Sequence, residues 1–311
     1  LREAEALDPD SVSVLLAGGR LDAARSRYEH ALQNYRRVQE LEPRNVDLLL
    51  RIAEIDAQLE LHDAAIATYR QAIALDPGNY ETYEELGAYL YQQADYASAA
   101  DQFRKVIERA PRFYNAYTNL GAALSDLGQD EPAVSALLMS LKLKETARAL
   151  NNLAAIRAYE KRDADALVLY KKSLLLDPNS YLCLENLGDS SRRQGLAAEA
   201  RDYYRRSSEI ALAALAADPR NAHARAYVGY VAARLDDRAR AEEETEQALT
   251  LSRDKTVIRH AVLTYEVLGE RGRALQIAGT ASKNILRELD RHPDLADFCG
   301  DPRFKQLKAR V

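Results

Sequence analysis

Asn119, Asn152 and Asn186 each stand directly before a leucine and two residues before a small residue, in YTNLGAAL, LNNLAAI and LENLGDS. They follow one another at 33 and 34 residues. A side-chain amide carries both donor and acceptor, so a row of them on one face can bond a peptide backbone without reading its side chains. Other polar residues fall at comparable places. Glu81, Glu84 and Glu85, with Asp47 and Glu54, precede the row. Tyr159, Arg192, Arg193, Tyr227 and Arg234, with His223, lie within it or after it. An acidic early part and a basic later part would orient a peptide with one basic and one acidic end. The chemistry expected of these residues is reversible polar binding.

Bond-making chemistry has no comparable foothold. Gly18-Gly19 is no phosphate loop, KRDAD is no catalytic loop, and GxxxxGK[ST], GxSxG and HExxH are missing. His30, His62, His223, His260 and His292 show no metal-ligand spacing. Glu84-Glu85 and Glu242 to Glu244 are sequence neighbours, which do not face each other on a helix, so they read as solvated faces. Cys183 and Cys299 are far apart without a CxxC, so free thiols are expected rather than a disulfide or zinc site. The expectation is no enzyme, no cofactor and no metal.

The row demands a scaffold that repeats. Pro9, Pro43, Pro77 and Pro111 recur at steps of 34, closing the phrases LDPDS, LEPRN, LDPGN and APRF, and LDPNS and ADPRN follow at Pro178 and Pro219. Between stops run two helical segments, as in NYETYEELGAYLYQQA and YASAADQFRKVIERAP. Ala31, Ala65, Ala99, Ala133, Ala166, Ala200 and Ala241 mark where helices touch. Tyr35, Tyr69, Phe103, Tyr170 and Tyr204, four residues on, share their face. Pro178 to Pro219 is 41 residues, seven more than the repeat, which is close to two helical turns and keeps the apolar face in phase. One second helix should be two turns longer, with Ile210, Leu212 and Leu215 covering a neighbour. The stop near Glu145 lacks proline, which predicts a tighter turn.

Leu86-Gly87, Leu120-Gly121 and Leu187-Gly188, the Ala-aromatic pairs and the closing prolines resemble the tetratricopeptide repeat. That resemblance implies an all-α, right-handed superhelix of about seven to eight repeats. A partial repeat would occupy residues 1–11, a tandem array 12–289 and a capping segment 290–311. It also implies that first helices line a concave surface, where the asparagine row resembles the ladder of O-GlcNAc transferases. Arg51, Glu85 and Tyr227 stand at further rungs, and repeat consensus alone would also place asparagine there. Glu84, where a chaperone-tail clamp needs Lys or Asn, disfavours that activity. His292-Pro293-Asp294 spells the tripeptide of J-domain cochaperones but lacks their helix pair, so it reads as cap.

HPDLADFCGDPRFKQL, with the lengthened helix, is similar to the C-terminal arrays attached in bacteria to serine/threonine kinases, winged-helix regulators or cyclases. An effector domain upstream of Leu1 is expected from it. With 43 basic and 48 acidic residues the formal charge is -5, which lacks the footprint of a nucleic-acid binder. The longest apolar run, IALAALAA, is too short to span a bilayer. The leading expectation is a cytoplasmic, non-catalytic scaffold binding protein or peptide segments, including those of its own parent chain. A regulatory arm of an effector, or a structural spacer, are the alternatives.

Overall fold

The computed structural model describes residues 11–310, so the expected partial repeat at 1–11 lies, but for Ser11, outside the described residues. Among these are nineteen α-helices, one short 3-10 turn and no strand. The chain divides into two compact units, Leu1–Asn119 and Leu120–Val311. In the first, α1 (Val12–Ala24), α3 (Val46–Gln58) and α5 (Tyr80–Gln92) are first helices, paired with α2 (Tyr28–Leu41), α4 (His62–Leu75) and α6 (Tyr96–Arg109). The division falls inside α7 (Tyr114–Asp126). In the second unit α8 (Asp130–Leu143) is followed by the pairs α9 (Ala147–Tyr159) and α10 (Asp163–Leu176), α11 (Tyr181–Arg193) and α12 (Ala197–Ala217), and α13 (Ala222–Arg234) and α14 (Arg238–Leu251). Next come α15 (Lys255–Val267) and α16 (Arg271–Ala278). The tail is α17 (Lys283–Arg291), the 3-10 turn Pro293–Leu295, α18 (Ala296–Gly300) and α19 (Pro302–Arg310).

The proline phrases act as stops and starts together. Two residues after Pro43, Pro178 and Pro219, the side chains of Asn45, Ser180 and Asn221 accept from the backbone N–H of Leu48, Cys183 and Ala224 at 3.0, 3.2 and 2.9 Å. Each satisfies one donor that a helix start leaves open. Without a proline, the α8–α9 link shrinks to residues 144–146, and Thr146 supplies the cap. The turn inside each pair carries one left-handed residue: Ser26, Glu60, Ala94, Gly128, Lys161, Gly195, Asp236 and Gly269, with φ between 56° and 77°.

Packing repeats with the sequence. The seven alanines at the helix crossings are at most 2% exposed. The five aromatic residues four positions on are at most 5% exposed, and burying a ring such as Phe103 contributes about 1.5–3 kcal/mol. The first helix must present a small residue opposite: a Cβ on Gly19 or Gly188 would lie 2.4 Å from Cε1 of Tyr35 or Tyr204. The lengthened second helix is α12, at 21 residues. Its extra turns do cover a neighbour, since Ala211 and Leu215 pack with Ala224 and Val228 of α13, with Leu212 alongside. At the far end Leu295, Phe298 and Phe304 are fully buried in a core shared with Ile258, Val262 and Tyr265 of α15.

Candidate functional site

The face formed by the first helices of the second unit is not open. The end of α17 at Arg291 and the 3-10 turn that follows, as far as Leu295, lie on it. The Asp294 carboxylate meets three guanidinium groups: Arg192 at 2.5 Å and Arg193 at 3.1 Å from α11, and Arg234 at 3.4 Å from α13. Arg193 also pairs with Asp163 of α10 at 2.8 Å. Burial works to raise the Asp294 carboxyl, but Arg193, Arg192 and His292 outweigh it and hold the group below its ordinary value. His292 stacks edge-on to Tyr159, with ring centres 6.1 Å apart, and its Nδ1 accepts from the Asp294 backbone N–H at 3.3 Å. Burial, with Arg259, Arg193 and His260 nearby, pushes the imidazole down to about 3 despite Asp294.

The tail then closes the unit. Arg291 crosses the Tyr159 ring at 5.4 Å, donates to the Ser125 carbonyl at 2.6 Å, and grips Asp130 through both carboxylate oxygens at 2.5 and 2.7 Å. Lys255 of α15 reaches Asp126 at 2.8 Å, and Arg259 pairs with Glu288 of α17 at 2.8 Å. The start and the end of the second unit therefore touch across this face.

Beneath it lie buried polar groups that sequence reading overlooked. Asp189 accepts from the hydroxyls of Tyr204 and Tyr230 at 2.6 and 2.7 Å. Both oxygens of Glu185 lie 3.1 Å from His260 Nε2, while His260 Nδ1 donates to the Thr256 carbonyl at 2.7 Å. Burial raises the Glu185 carboxyl against the pull of His260. These groups are sealed from solvent, and their arrangement fits structural pairing rather than proton exchange with a substrate. Among the described residues no group of three or more His, Cys, Asp or Glu side chains could hold a metal ion, and no helix is long and apolar enough to cross a membrane.

The expected binding residues therefore divide. Arg192, Arg193 and Arg234 are not an open basic surface, because they converge on Asp294, with Asp163 and Asp189 as further counter-charges, and Tyr159 is covered by Arg291 and His292. Tyr227 is 6% exposed, its ring 4.3 Å from that of His260 and 4.9 Å from that of Tyr181, so it is an interior residue. His223 is exposed and pairs with Asp254 at 2.6 Å. Asn152 and Asn186 are half-buried, and Asn186 donates to Asn151 at 3.4 Å, a partner the motif comparison passed over. In the first unit Asn119 and Glu84 are half-buried and Glu81 and Glu85 exposed. Burial and the charges of Glu54, Glu81 and Glu84 raise the Glu85 carboxyl, so the acidic cluster is real in space. Arg51, at a rung of the asparagine row, and Arg20, which the sequence reading did not single out, line a cavity of ≈ 390 Å³ together with Tyr35 and Glu54.

Residues 10–80 and 85–147 match the family model of the tetratricopeptide repeat. Over these residues the chain belongs to the tetratricopeptide repeat family. No curated protein matches its sequence. Its fold is similar to that of a tetratricopeptide repeat protein from Parabacteroides merdae, with TM-score 0.62 and 14% identity over 81% of this chain and 98% of the other. It is similar to the Cut9–Hcn1 hetero-tetramer of APC/C, with TM-score 0.55 and 18% identity over 97% of this chain, and spans only 56% of that chain's length. PilF of Pseudomonas aeruginosa aligns with TM-score 0.51 and 20% identity over 72% of this chain and 97% of its own. At these identities the likeness extends to the fold. Past residue 147 the paired helices and the left-handed turn residues continue as in the part the family model covers.

Proposed function

We propose that this tetratricopeptide repeat protein is a non-catalytic, cytoplasmic scaffold that binds an extended protein segment on the first helices of its first unit. The array runs over 12–289 and the cap over 290–311 in this reading. The observation that carries it is the second unit's own arrangement: its first helices hold the end of α17 and the 3-10 turn that follows, Arg291 to Leu295, by ion pairs and ring contacts. The equivalent face of the first unit bears Glu54, Glu81, Glu84, Glu85 and Asn119, of which Glu54, Glu81 and Glu85 are exposed. These carboxylates favour a segment carrying Lys or Arg, and Asn119 adds a backbone hydrogen bond. Tyr159, Arg192, Arg193 and Arg234 serve the internal segment instead, and Asn152 and Asn186 remain candidates for a backbone hydrogen bond in this reading.

Peptides selected on the protein from a random library test the reading by calorimetry. Enrichment in Lys and Arg is expected, with affinity falling at least tenfold when Glu81, Glu84 and Glu85 are changed together to Lys. Asn119→Ala should weaken binding by about 0.5–1.5 kcal/mol, one hydrogen bond's worth. A library from which no peptide is enriched overturns the proposal.

A further inference from the structure

The cavity beside Tyr35 and the acidic cluster beside Tyr69 are the same place in successive repeats. Arg20, Tyr35 and Arg51 are each followed 34 residues later by Glu54, Tyr69 and Glu85, and after another 34 by Ala88, Phe103 and Asn119. Space bears out the register. Tyr35, 2% exposed, floors the ≈ 390 Å³ cavity, with Arg20 and Arg51 beside it, Glu54 at the side shared with the next position, and Tyr28 and Ile55 as apolar walls. The Arg51 side chain reaches the Tyr35 hydroxyl, and Arg20 lies close enough to act on it. Tyr69, 5% exposed, has Glu85 and Glu54 as its nearest charges in the same roles. Burial and the charges of Glu54, Glu81 and Glu84 raise the Glu85 carboxyl, and Arg51 pulls it the other way. Two equivalent positions thus carry opposite charge, and the third is neutral.

We propose that these two positions form a bipolar subsite that selects a segment with one acidic and one basic side chain about three residues apart. This rests on the scaffold reading and adds its specificity. Packed helices stand roughly 8–10 Å apart, and an extended chain advances about 3.3–3.6 Å per residue. Three residues therefore carry a ligand from one subsite to the next. The carboxylate of such a segment enters the cavity between Arg20 and Arg51, against the Tyr35 hydroxyl. Its ammonium or guanidinium settles between Glu54 and Glu85, where it relieves the crowding of carboxylates. A purely basic segment gains only the second contact and meets two arginines at the first.

The test uses four fluorescein-labelled peptides in a common Gly/Ser frame: Asp-x-x-Lys, Lys-x-x-Asp, Asp-x-x-Asp and Lys-x-x-Lys. One of the two bipolar peptides is expected to bind at least tenfold tighter than the other three. A fourfold swap, Arg20→Glu, Arg51→Glu, Glu54→Arg and Glu85→Arg, should transfer the preference to the opposite bipolar peptide. Arg20→Ala with Arg51→Ala, which removes charge without introducing any, should lose the preference at an unchanged melting temperature and serves if the swap does not fold. Equal binding of the bipolar and Lys-x-x-Lys peptides, or a preference indifferent to the alanine pair, overturns the subsite and leaves the scaffold standing. Failure of all four peptides and of the library-selected ones removes both.

Discussion

At the scale of the residue, Asp294 shows what a periodic pattern conceals. Spacing placed Arg192, Arg193 and Arg234 on the first-helix face, and they are there. Helical periodicity reports the face a residue occupies but carries no information about which distant stretch returns to cover it. Asn186 was legible in the same limited way: its place follows from the repeat, its partner Asn151 does not. Asp294→Ala should cost about 3–5 kcal/mol, because three guanidinium groups lose a buried counter-charge, and chemical denaturation of the second unit measures it. His292 sets a pH dependence. Its folded pKa of about 3 lies below the ordinary value near 6.5. Below about pH 6.5 the unfolded chain takes a proton that the folded one refuses, so stability falls with pH by up to about 1.4 kcal/mol per unit until the folded value is reached. His292→Asn keeps an acceptor for the Asp294 N–H and removes the titration. Its stability should change less steeply between about pH 6.5 and 5, and equal slopes for the two proteins would assign the effect elsewhere.

At the scale of the element, the pairs were readable because each boundary is local chemistry: a proline stop, an Asn or Ser cap, an alanine crossing. The lengthened α12 was readable for the same reason, seven residues being close to two turns. The left-handed turns were harder to see, since Ser26, Glu60, Ala94, Lys161 and Asp236 fill positions that favour glycine. Lys161→Gly should remove that strain and, after the added freedom of the unfolded chain is subtracted, stabilise by about 0.5–1 kcal/mol. Thermal unfolding of the single variant decides it, and a lowered melting temperature would count against strain at this turn. Gly188→Ala should act oppositely. The added methyl meets Tyr204, whose hydroxyl is fixed on Asp189, so the ring cannot swing away freely. A loss of about 1–3 kcal/mol is expected, as for overpacking elsewhere.

At the scale of the whole molecule, two units made from one repeat have different tasks. The first leaves its charged face accessible and the second fills the corresponding face with its own tail. Composition hinted at neither, since net charge sums over surfaces that the fold keeps separate. An ordinary repeat array has contacts only between neighbours, so its stability is close to a sum along the chain. The second unit departs from that additivity through Arg291 and Lys255, which bind Asp130 and Asp126 across 161 and 129 residues. Deleting residues 283–310 should therefore raise amide exchange as far back as α8, whereas a simple array would lose protection only at its end.

That closure also sets an order in time. A ribosome that has released residue 278 has delivered every helix pair of the second unit but not Arg291, which joins its two ends. Until Arg291 emerges, Ser125 and Asp130 await their partner and the three arginines await Asp294. Throughout that interval Arg193 and Arg234 keep Asp163 and Asp189 beside them but lack the carboxylate on which all three arginines converge. Residues 283–310 thus act on the rest of the unit much as a clasp does on a bracelet, and a pause in translation before residue 291 would prolong the stage at which that face stands uncovered.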